Sequence, residues 1–222
     1  MTDGGQLLSL VRGEVEAERE QLASLGHPTI VVGGPVKGLR SVGIDEKATA
    51  KEATNHLIGL GHTEIAHLGG EDEEGLTSNV PAGRLRGFEK AMRSAQLAVR
   101  PEWVIPGGFS LPEGRAAMNR LLDRPGPRPT AVFAGSDEMA MGAILAAGDH
   151  GLRVPEDLSV IGIDDHDFAE CFGLTTMAQS PFEQGAVATR ILLDELGGGE
   201  PRTGSVRSSA HLVVRRSTAP PR

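Results

Sequence analysis

The amino-acid sequence predicts an α/β fold built from doubly wound parallel sheets. Short apolar runs rich in β-branched residues alternate with segments whose apolar residues recur at helical spacing. In the clearest unit, a buried strand at residues 130–134 precedes a helix that Ser136 or Asp137 can cap, and a second apolar run occupies residues 158–163. Because strand–helix–strand units join parallel strands through a right-handed crossover, this unit predicts the architecture of the chain.

The remaining elements follow the same alternation. Two serines, Ser110 and Ser180, stand three residues before a glutamate, which is the spacing of a capping box at the start of a helix. Residues 69–81 are polar and are predicted to form a surface loop that lines or covers a site, and residues 218–222 a frayed tail. Further strands are predicted at residues 7–11, 29–32, 41–44, 64–68, 103–105, 173–178 and 206–214, and helices at residues 14–25, 48–60, 82–94, 110–123 and 180–196.

Polar side chains stand where two of the predicted strands end. Ser136 and Asp137 follow the first strand of the 130–165 unit, and Asp164 and Asp165 close the second. Open parallel sheets bind ligands in the crevice beyond the carboxyl ends of their strands, so these residues predict a binding site. The alternative is that Ser136 and Asp137 only cap the helix and that the two aspartates only begin a loop.

The composition disfavours several classes of protein. The chain has 22 Lys and Arg against 30 Asp and Glu, a net charge of −8, which argues against a dedicated nucleic-acid-binding chain. No apolar run reaches the ~20 residues of a membrane span, and the N-terminus lacks the pattern of a secretion signal. The single cysteine, Cys171, cannot form an internal disulfide and is compatible with a reducing compartment. We therefore expect a cytoplasmic protein that does not contact a membrane.

Patterns for metal binding and catalysis are missing from the sequence. The histidines are scattered without metal-ligand spacing, no Gly-x-Ser-x-Gly is present, and Cys171 has no neighbouring histidine to activate it. We expect no cofactor, no metal and no catalysis. His166, beside Asp164 and Asp165, could serve as a metal ligand or general base, although a polar surface loop is the simpler interpretation.

Several motifs, in order along nearly the whole chain, resemble the LacI/GalR family of bacterial transcription regulators. The resemblance is to the effector-binding core, which has the two-lobed fold of type I periplasmic binding proteins. It is carried by VGID at 42–45, HLIGLGHTEIA at 56–66, RLRGF at 84–88, FAGSDEMAMGA at 133–143, GLRVPEDLSVIGIDD at 151–165 and HLVVRRST at 211–218.

The resemblance implies two lobes with a ligand between them. Residues 1–44 and 180–205 are expected in a partial N-terminal lobe, and residues 45–179 and 206–222 in the C-terminal lobe. No helix-turn-helix headpiece precedes the core, and the first lobe lacks its opening elements, so the chain resembles an N-terminally truncated member. It could be a fragment, begin at a misplaced start, or be completed by a partner. Operator DNA would be bound only through the missing headpiece, and a homodimer would form partly through the loop at Cys171 and Phe172.

The resemblance also implies ligand-binding residues. Arg84 matches the effector-contacting arginine of the family and Asp164 matches its acid after a strand of the second lobe. Ser136 stands where many members have Asn, which shortens the reach of that position, and Phe109 stands where an aromatic ring often stacks on the effector. The two remaining candidates, at boundaries between the lobes, are Gln179 and Asp45. The alternatives are an exposed helix residue for Arg84 and core packing for Phe109.

The predicted function is that of a ligand-sensing core that binds a sugar or a similar small polar effector. Binding would close the lobes, and the headpiece would normally receive that signal. Two other classes stay open on the sequence alone. One is a solute-binding protein of a transport system, and the other is a small α/β enzyme that uses Asp164, Asp165 and His166.

Overall fold

The computed structural model describes residues 28–34, 39–69, 80–198 and 204–222. The strand predicted at 7–11, the helix at 14–25 and most of the 69–81 loop lie outside these ranges. The helices are α1 (Glu46–Gly59), α2 (Val80–Ser94), α3 (Leu111–Leu122), α4 (Asp137–Asp149), α5 (Ala169–Phe172) and α6 (Pro181–Leu196). The strands are β1 (Ile30–Val32), β2 (Arg40–Gly43), β3 (Ile65–Gly69), β4 (Val104–Pro106), β5 (Ala131–Ala134), β6 (Ser159–Asp164), β7 (Thr175–Ala178), β8 (Val206–Arg207) and β9 (His211–Val213).

Two sheets organise the described chain. The larger has the order β4-β3-β5-β6-β7-β9, with β9 antiparallel to β7 and all other neighbours parallel. The smaller has the order β1-β2-β8 and is parallel throughout. Consecutive parallel strands with a helix between them confirm the predicted α/β class, and the 130–165 unit forms the centre of the larger sheet as β5, α4 and β6.

The single strand predicted at residues 206–214 is wrong. Val206 and Arg207 pair with β2 in the smaller sheet, whereas residues 211–213 pair with β7 in the larger one. Residues 208–210 carry the chain from one sheet to the other without Gly or Pro, so no turn signal marked the break. β8 therefore pairs with a strand that was predicted in the N-terminal lobe, and the division into lobes stays a prediction.

Two further predictions need correction at the residue level. Trp103 belongs to a 3₁₀ turn, Pro101–Trp103, and the adjoining strand begins at Val104. The C-terminal tail is not frayed, because the Ala219 carbonyl accepts hydrogen bonds from His62 Nε2 at 2.8 Å and Ser159 Oγ at 3.0 Å. These contacts hold the tail against the edge of the larger sheet where its parallel strands begin.

Helices cover both faces of the larger sheet and bury two apolar clusters. One cluster, between the sheet and α3 and α4, includes Trp103, Met118 and Met139. The other, beneath α1 and α2, includes Leu57 and Phe88. Burial on both faces explains why β3, β5 and β6 are apolar without alternation. None of the described helices is long and apolar enough to cross a membrane.

Glycines allow α2 to lie directly on α1. Gly83 and Gly87 are one turn apart on the face of α2 that meets α1. A Cβ added at Gly83 would lie 2.9 Å from Glu46 Cβ, and one at Gly87 would clash with the Lys47 carbonyl and lie 2.7 Å from Ala50 Cβ. The closeness of α1 and α2 places Arg84, between these glycines, beside the first turn of α1.

We expect Gly87→Ala to destabilise the protein by about 1–3 kcal/mol through overpacking, although alanine favours helices. Urea unfolding measures the change. Gly148→Ala is the matched control, because that glycine lies in α4 with no atom within 4 Å of an added Cβ, and a small gain in stability is expected there. Equal effects of the two substitutions would contradict the close packing of α1 on α2.

Candidate functional site

The carboxyl ends of the central strands form the candidate site. Ser136 follows β5 and Asp164 closes β6, while α2 brings Arg84 to the same edge of the sheet. Five of the six predicted residues lie at this edge: Phe109 contacts Arg84 and Ser136, and Gln179 bonds Asp164. The sixth, Asp45, lies beside them at the start of α1.

Arg84 is the most connected of these residues. Its side chain is buried, so it is not an exposed helix residue. Nε donates a hydrogen bond of 2.6 Å to Glu46 Oε2, and Nη1 donates to the carbonyl oxygen of Gly135. The guanidinium carbon lies 5.7 Å from the centroid of the Phe109 ring, within cation–π range. These contacts fix the guanidinium in one orientation at the ends of the strands.

Glu46 is a site residue that the sequence did not reveal. Its carboxylate is buried against Arg84, and the two side chains are only 9% and 6% exposed. From the sequence, Glu46 was expected just after a strand and before the helix at residues 48–60, whereas in the structure it is the first residue of α1. No local pattern points to a partner 38 residues away.

Asp164 is held by an amide relay and a strained backbone. Gln179 Nε2 donates a hydrogen bond of 2.6 Å to Asp164 Oδ1, and Gln184 Nε2 donates one of 2.9 Å to Gln179 Oε1. The backbone of Asp164 has φ 131°, a value that costs an L-residue free energy and that often marks a functional site. Burial raises the pKa of the Asp164 carboxyl, whereas the Arg84 charge and the Gln179 hydrogen bond lower it.

Ser136 and Phe109 contact each other next to Arg84. Ser136 caps α4, as predicted, because its Oγ accepts a hydrogen bond of 3.2 Å from the Met139 amide, and the same Oγ donates one of 3.3 Å to the Phe109 carbonyl. The Phe109 ring packs partly against the apolar cluster under α3 and α4 and partly under Arg84. Core packing and exposure to a ligand are therefore combined in this ring, and its ligand contact stays a prediction.

Asp45 has two structural roles. Its Oδ1 accepts a hydrogen bond of 3.0 Å from the Ala48 amide and so caps α1, which begins two residues earlier than predicted. Its Oδ2 forms a 2.9 Å ion pair with Arg207 of β8. The ion pair therefore links two places where the chain leaves the smaller sheet: the connection from β2 to α1 and the end of β8. A direct contact of Asp45 with a ligand stays a prediction.

The side chains of the Asp164–Asp165–His166 segment have separate partners. Asp165 forms a 2.7 Å ion pair with Arg215, whereas Asp164 bonds Gln179. The His166 ring accepts a hydrogen bond from the Phe168 amide at 3.2 Å. Among the described residues, no group of three His, Cys, Asp or Glu side chains could hold a metal ion. In the nearby loop, Cys171 is exposed and Phe172 packs partly against the core.

Asp137 is a buried acid directly beneath the site. Its carboxylate accepts hydrogen bonds from Thr176 Oγ1 at 2.6 Å and from the His166 amide at 2.9 Å. Burial raises the pKa of Asp137 to about 6, and the two hydrogen bonds only partly oppose that rise. The sequence predicted Asp137 as a helix cap or site residue, yet Ser136 is the cap, and Asp137 instead ties α4 to β7.

The raised pKa predicts a pH dependence of stability. The folded chain holds a proton on Asp137 more tightly than the unfolded chain, so its contribution to stability falls as pH rises from about 4 through 6. A shift of about two pKa units corresponds to roughly 3 kcal/mol. Asp137→Asn cannot titrate and can still accept from the His166 amide and donate to Thr176 Oγ1. Urea unfolding at several pH values should therefore show parent stability declining relative to the variant across this window. A constant difference would contradict the raised pKa.

Comparison with known proteins gives consistent findings. The family profile of the periplasmic binding protein-like domain matches residues 54–218. The HTH-type transcriptional repressor CytR of Escherichia coli K12 is 38% identical over 219 residues, which are 96% of this chain and 62% of that repressor. The chain thus spans about three fifths of the length of this relative.

Solved structures agree with the sequence matches. A LacI family transcriptional regulator from Mycobacterium smegmatis is 34% identical, with a TM-score of 0.81 and coverage of 91% of this chain and 75% of that one. A LacI family transcriptional regulator from Enterococcus faecium with bound ribose is 32% identical, with a TM-score of 0.77 and coverage of 92% and 75%. At this identity and coverage the similarity extends beyond the fold to common descent.

Proposed function

This chain belongs to the LacI family of transcriptional regulators and contains the effector-binding domain of that family, and we propose that its effector is a sugar or a similar small polar metabolite. The effector would lie at the carboxyl ends of the central strands, against Arg84, Asp164 and Phe109. The observation that carries the proposal is the buried, oriented guanidinium of Arg84 at the same strand ends as the half-buried carboxylate of Asp164, whose backbone φ is positive.

The chemistry of these groups suits a polyol. A guanidinium donates to hydroxyl oxygens, a carboxylate accepts from hydroxyl hydrogens, and an aromatic face covers the apolar side of a sugar ring. Arg84 is buried and Asp164 is half-buried, so a ligand that bonds both removes little further water from the protein. The Enterococcus faecium regulator was solved with ribose, which supports a sugar as the class of ligand.

The proposed signal passes through segments that cross between the sheets. Gln179 lies between β7 and α6 and bonds both Asp164 and Gln184 of α6. Glu46 lies just after the crossing from β2 to α1 and bonds Arg84. Arg84 and Asp164 thus each bond a residue in a connection between the two sheets. A ligand that binds both would favour one relative position of the sheets over another. In a full-length regulator this change would alter operator DNA binding by the headpiece.

Assembly as a homodimer is part of the same proposal. Cys171 is exposed, and Phe168, in the same loop, is 60% exposed despite its apolar ring. An exposed aromatic ring on a short helical loop suits burial against a second copy of the chain. The predicted contact through Cys171 and Phe172 would include Phe168.

We expect Asp164→Asn and Arg84→Lys to weaken sugar binding at least about tenfold, because each removes one charged hydrogen bond while keeping a side chain of similar size. Asn still accepts from Gln179, so the fold is retained. Isothermal titration calorimetry of D-ribose and other common monosaccharides and disaccharides measures the loss. Arg93→Lys, at an exposed position of α2 away from the site, is the control and should bind like the parent.

Undiminished binding of a sugar by both site variants would place the effector elsewhere. If no sugar in the panel raises the thermal stability of the parent, the proposed class of effector is wrong, since a ligand at 100 times its dissociation constant stabilises by about 2.7 kcal/mol.

A further inference from the structure

A second concave region adjoins the Arg84 site. An open cavity of about 310 Å³ lies between the smaller sheet and the first turns of α1 and α2. Its size is at the lower end of small-molecule pockets. Glu46 forms the wall that the cavity shares with Arg84, because its carboxylate bonds Arg84 while its residue lines the cavity. Besides Glu46, the cavity lining includes Asp45, Lys47, Gly83, Arg86 and Arg207.

The cavity lining has more cationic side chains than carboxylates that could neutralise them. Three cations, Lys47, Arg86 and Arg207, come from three different elements. Both lining carboxylates are already paired, Glu46 with the buried Arg84 and Asp45 with Arg207. Within the described ranges, neither Lys47 nor Arg86 forms an ion pair. The lining with Arg84 therefore carries two more positive than negative charges.

Two further features lie beside these cations. Gly83 faces Glu46 at a distance that leaves no room for a side chain, and Arg86 lies one turn further along the same face of α2. On the opposite wall, Asp45 takes up the amides of Ala48 and Thr49, so in this part of the chain the Glu46 and Lys47 amides at the start of α1 make no capping bond.

We infer that this cavity is an anion subsite of the effector cleft and that the effector carries a phosphate group. A phosphate monoester presents several acceptor oxygens and a charge near −2, which match a forked guanidinium, an ammonium and helix amides. The sugar moiety would extend past Glu46 to Arg84, Phe109 and Asp164. This inference rests on the proposed function for the sugar moiety, but the anion subsite is testable without it.

The test uses inorganic phosphate, D-ribose and D-ribose 5-phosphate as probes in phosphate-free buffer at low salt. The variant is Lys47→Gln with Arg86→Gln, and both side chains are exposed, so the fold should be kept. The matched control is Lys90→Gln with Arg93→Gln, which removes the same charge from exposed positions of α2 that do not line the cavity. Thermal unfolding and isothermal titration calorimetry give the readouts.

We expect inorganic phosphate to raise the unfolding temperature of the parent and the control but not of the Lys47/Arg86 variant. Ribose 5-phosphate should bind at least about tenfold more tightly than ribose, and this ratio should fall towards one in the variant and at higher salt. If phosphate stabilises the parent but not the variant while neither ribose nor ribose 5-phosphate binds, the anion subsite is supported and the proposed ribose-like sugar is wrong. The inference is overturned if phosphate stabilises the parent and the variant equally, or if ribose binds and ribose 5-phosphate binds no more tightly than ribose.

Discussion

The buried guanidinium of Arg84 is the interaction on which the site depends. A charge taken out of water is tolerated only when its hydrogen bonds are satisfied and an opposite charge is near. Glu46 supplies the charge, the Gly135 carbonyl supplies a second acceptor, and the Phe109 ring covers one face. Through these partners Arg84 joins α2 to α1 and to the end of β5. The close packing of α2 on α1, made possible by Gly83 and Gly87, brings the two partners together.

Strained backbone conformations and carboxyl groups with raised pKa values lie together at the same edge of the sheet. Asp164 and Asp165 both have positive φ, and Asp137 and Asp164 both have pKa values raised chiefly by burial. Such states persist only where surrounding contacts compensate for them. Here the compensation comes from Gln179, Thr176 and Arg215. A ligand that bonds Asp164 would relieve part of this cost, which is why the edge suits recognition better than stability.

The sequence revealed those parts of the molecule that have local signals. The strand–helix–strand unit around α4 was predictable because its apolar runs and its Ser136 cap are encoded within a few residues, and the capping box at Ser110 marked the start of α3 in the same way. The α/β fold with mostly parallel sheets followed from the alternation of elements and from the resemblance. The resemblance also predicted Arg84 and Asp164 as ligand-binding residues, and the structure places both at the same edge of the larger sheet.

Long-range pairings had no such signal. Glu46 was expected in the connection between a strand and a helix, and Asp45 was expected to be a boundary residue rather than the cap of α1. Two serines and an alanine carried the chain between sheets after β8 where a continuous strand was expected. The polar C-terminal residues are held by His62 and Ser159, both distant in sequence. In each case the contact partner lies in another helix or strand. Hydrophobic periodicity and capping patterns describe only neighbouring residues, so they cannot predict such a partner.

Arg84 and Glu46 form one buried ion pair beneath the proposed ligand site, and we expect them to act as one unit. A double-mutant cycle with Arg84→Leu, Glu46→Leu and the double substitution, followed by urea unfolding, measures their coupling directly. We expect each single substitution to destabilise the protein by about 3 kcal/mol or more, because it leaves an uncompensated buried charge, and the double variant to recover at least about 2 kcal/mol of the summed loss. Losses that add within about 0.5 kcal/mol would show that the two side chains are independent and would contradict this expectation.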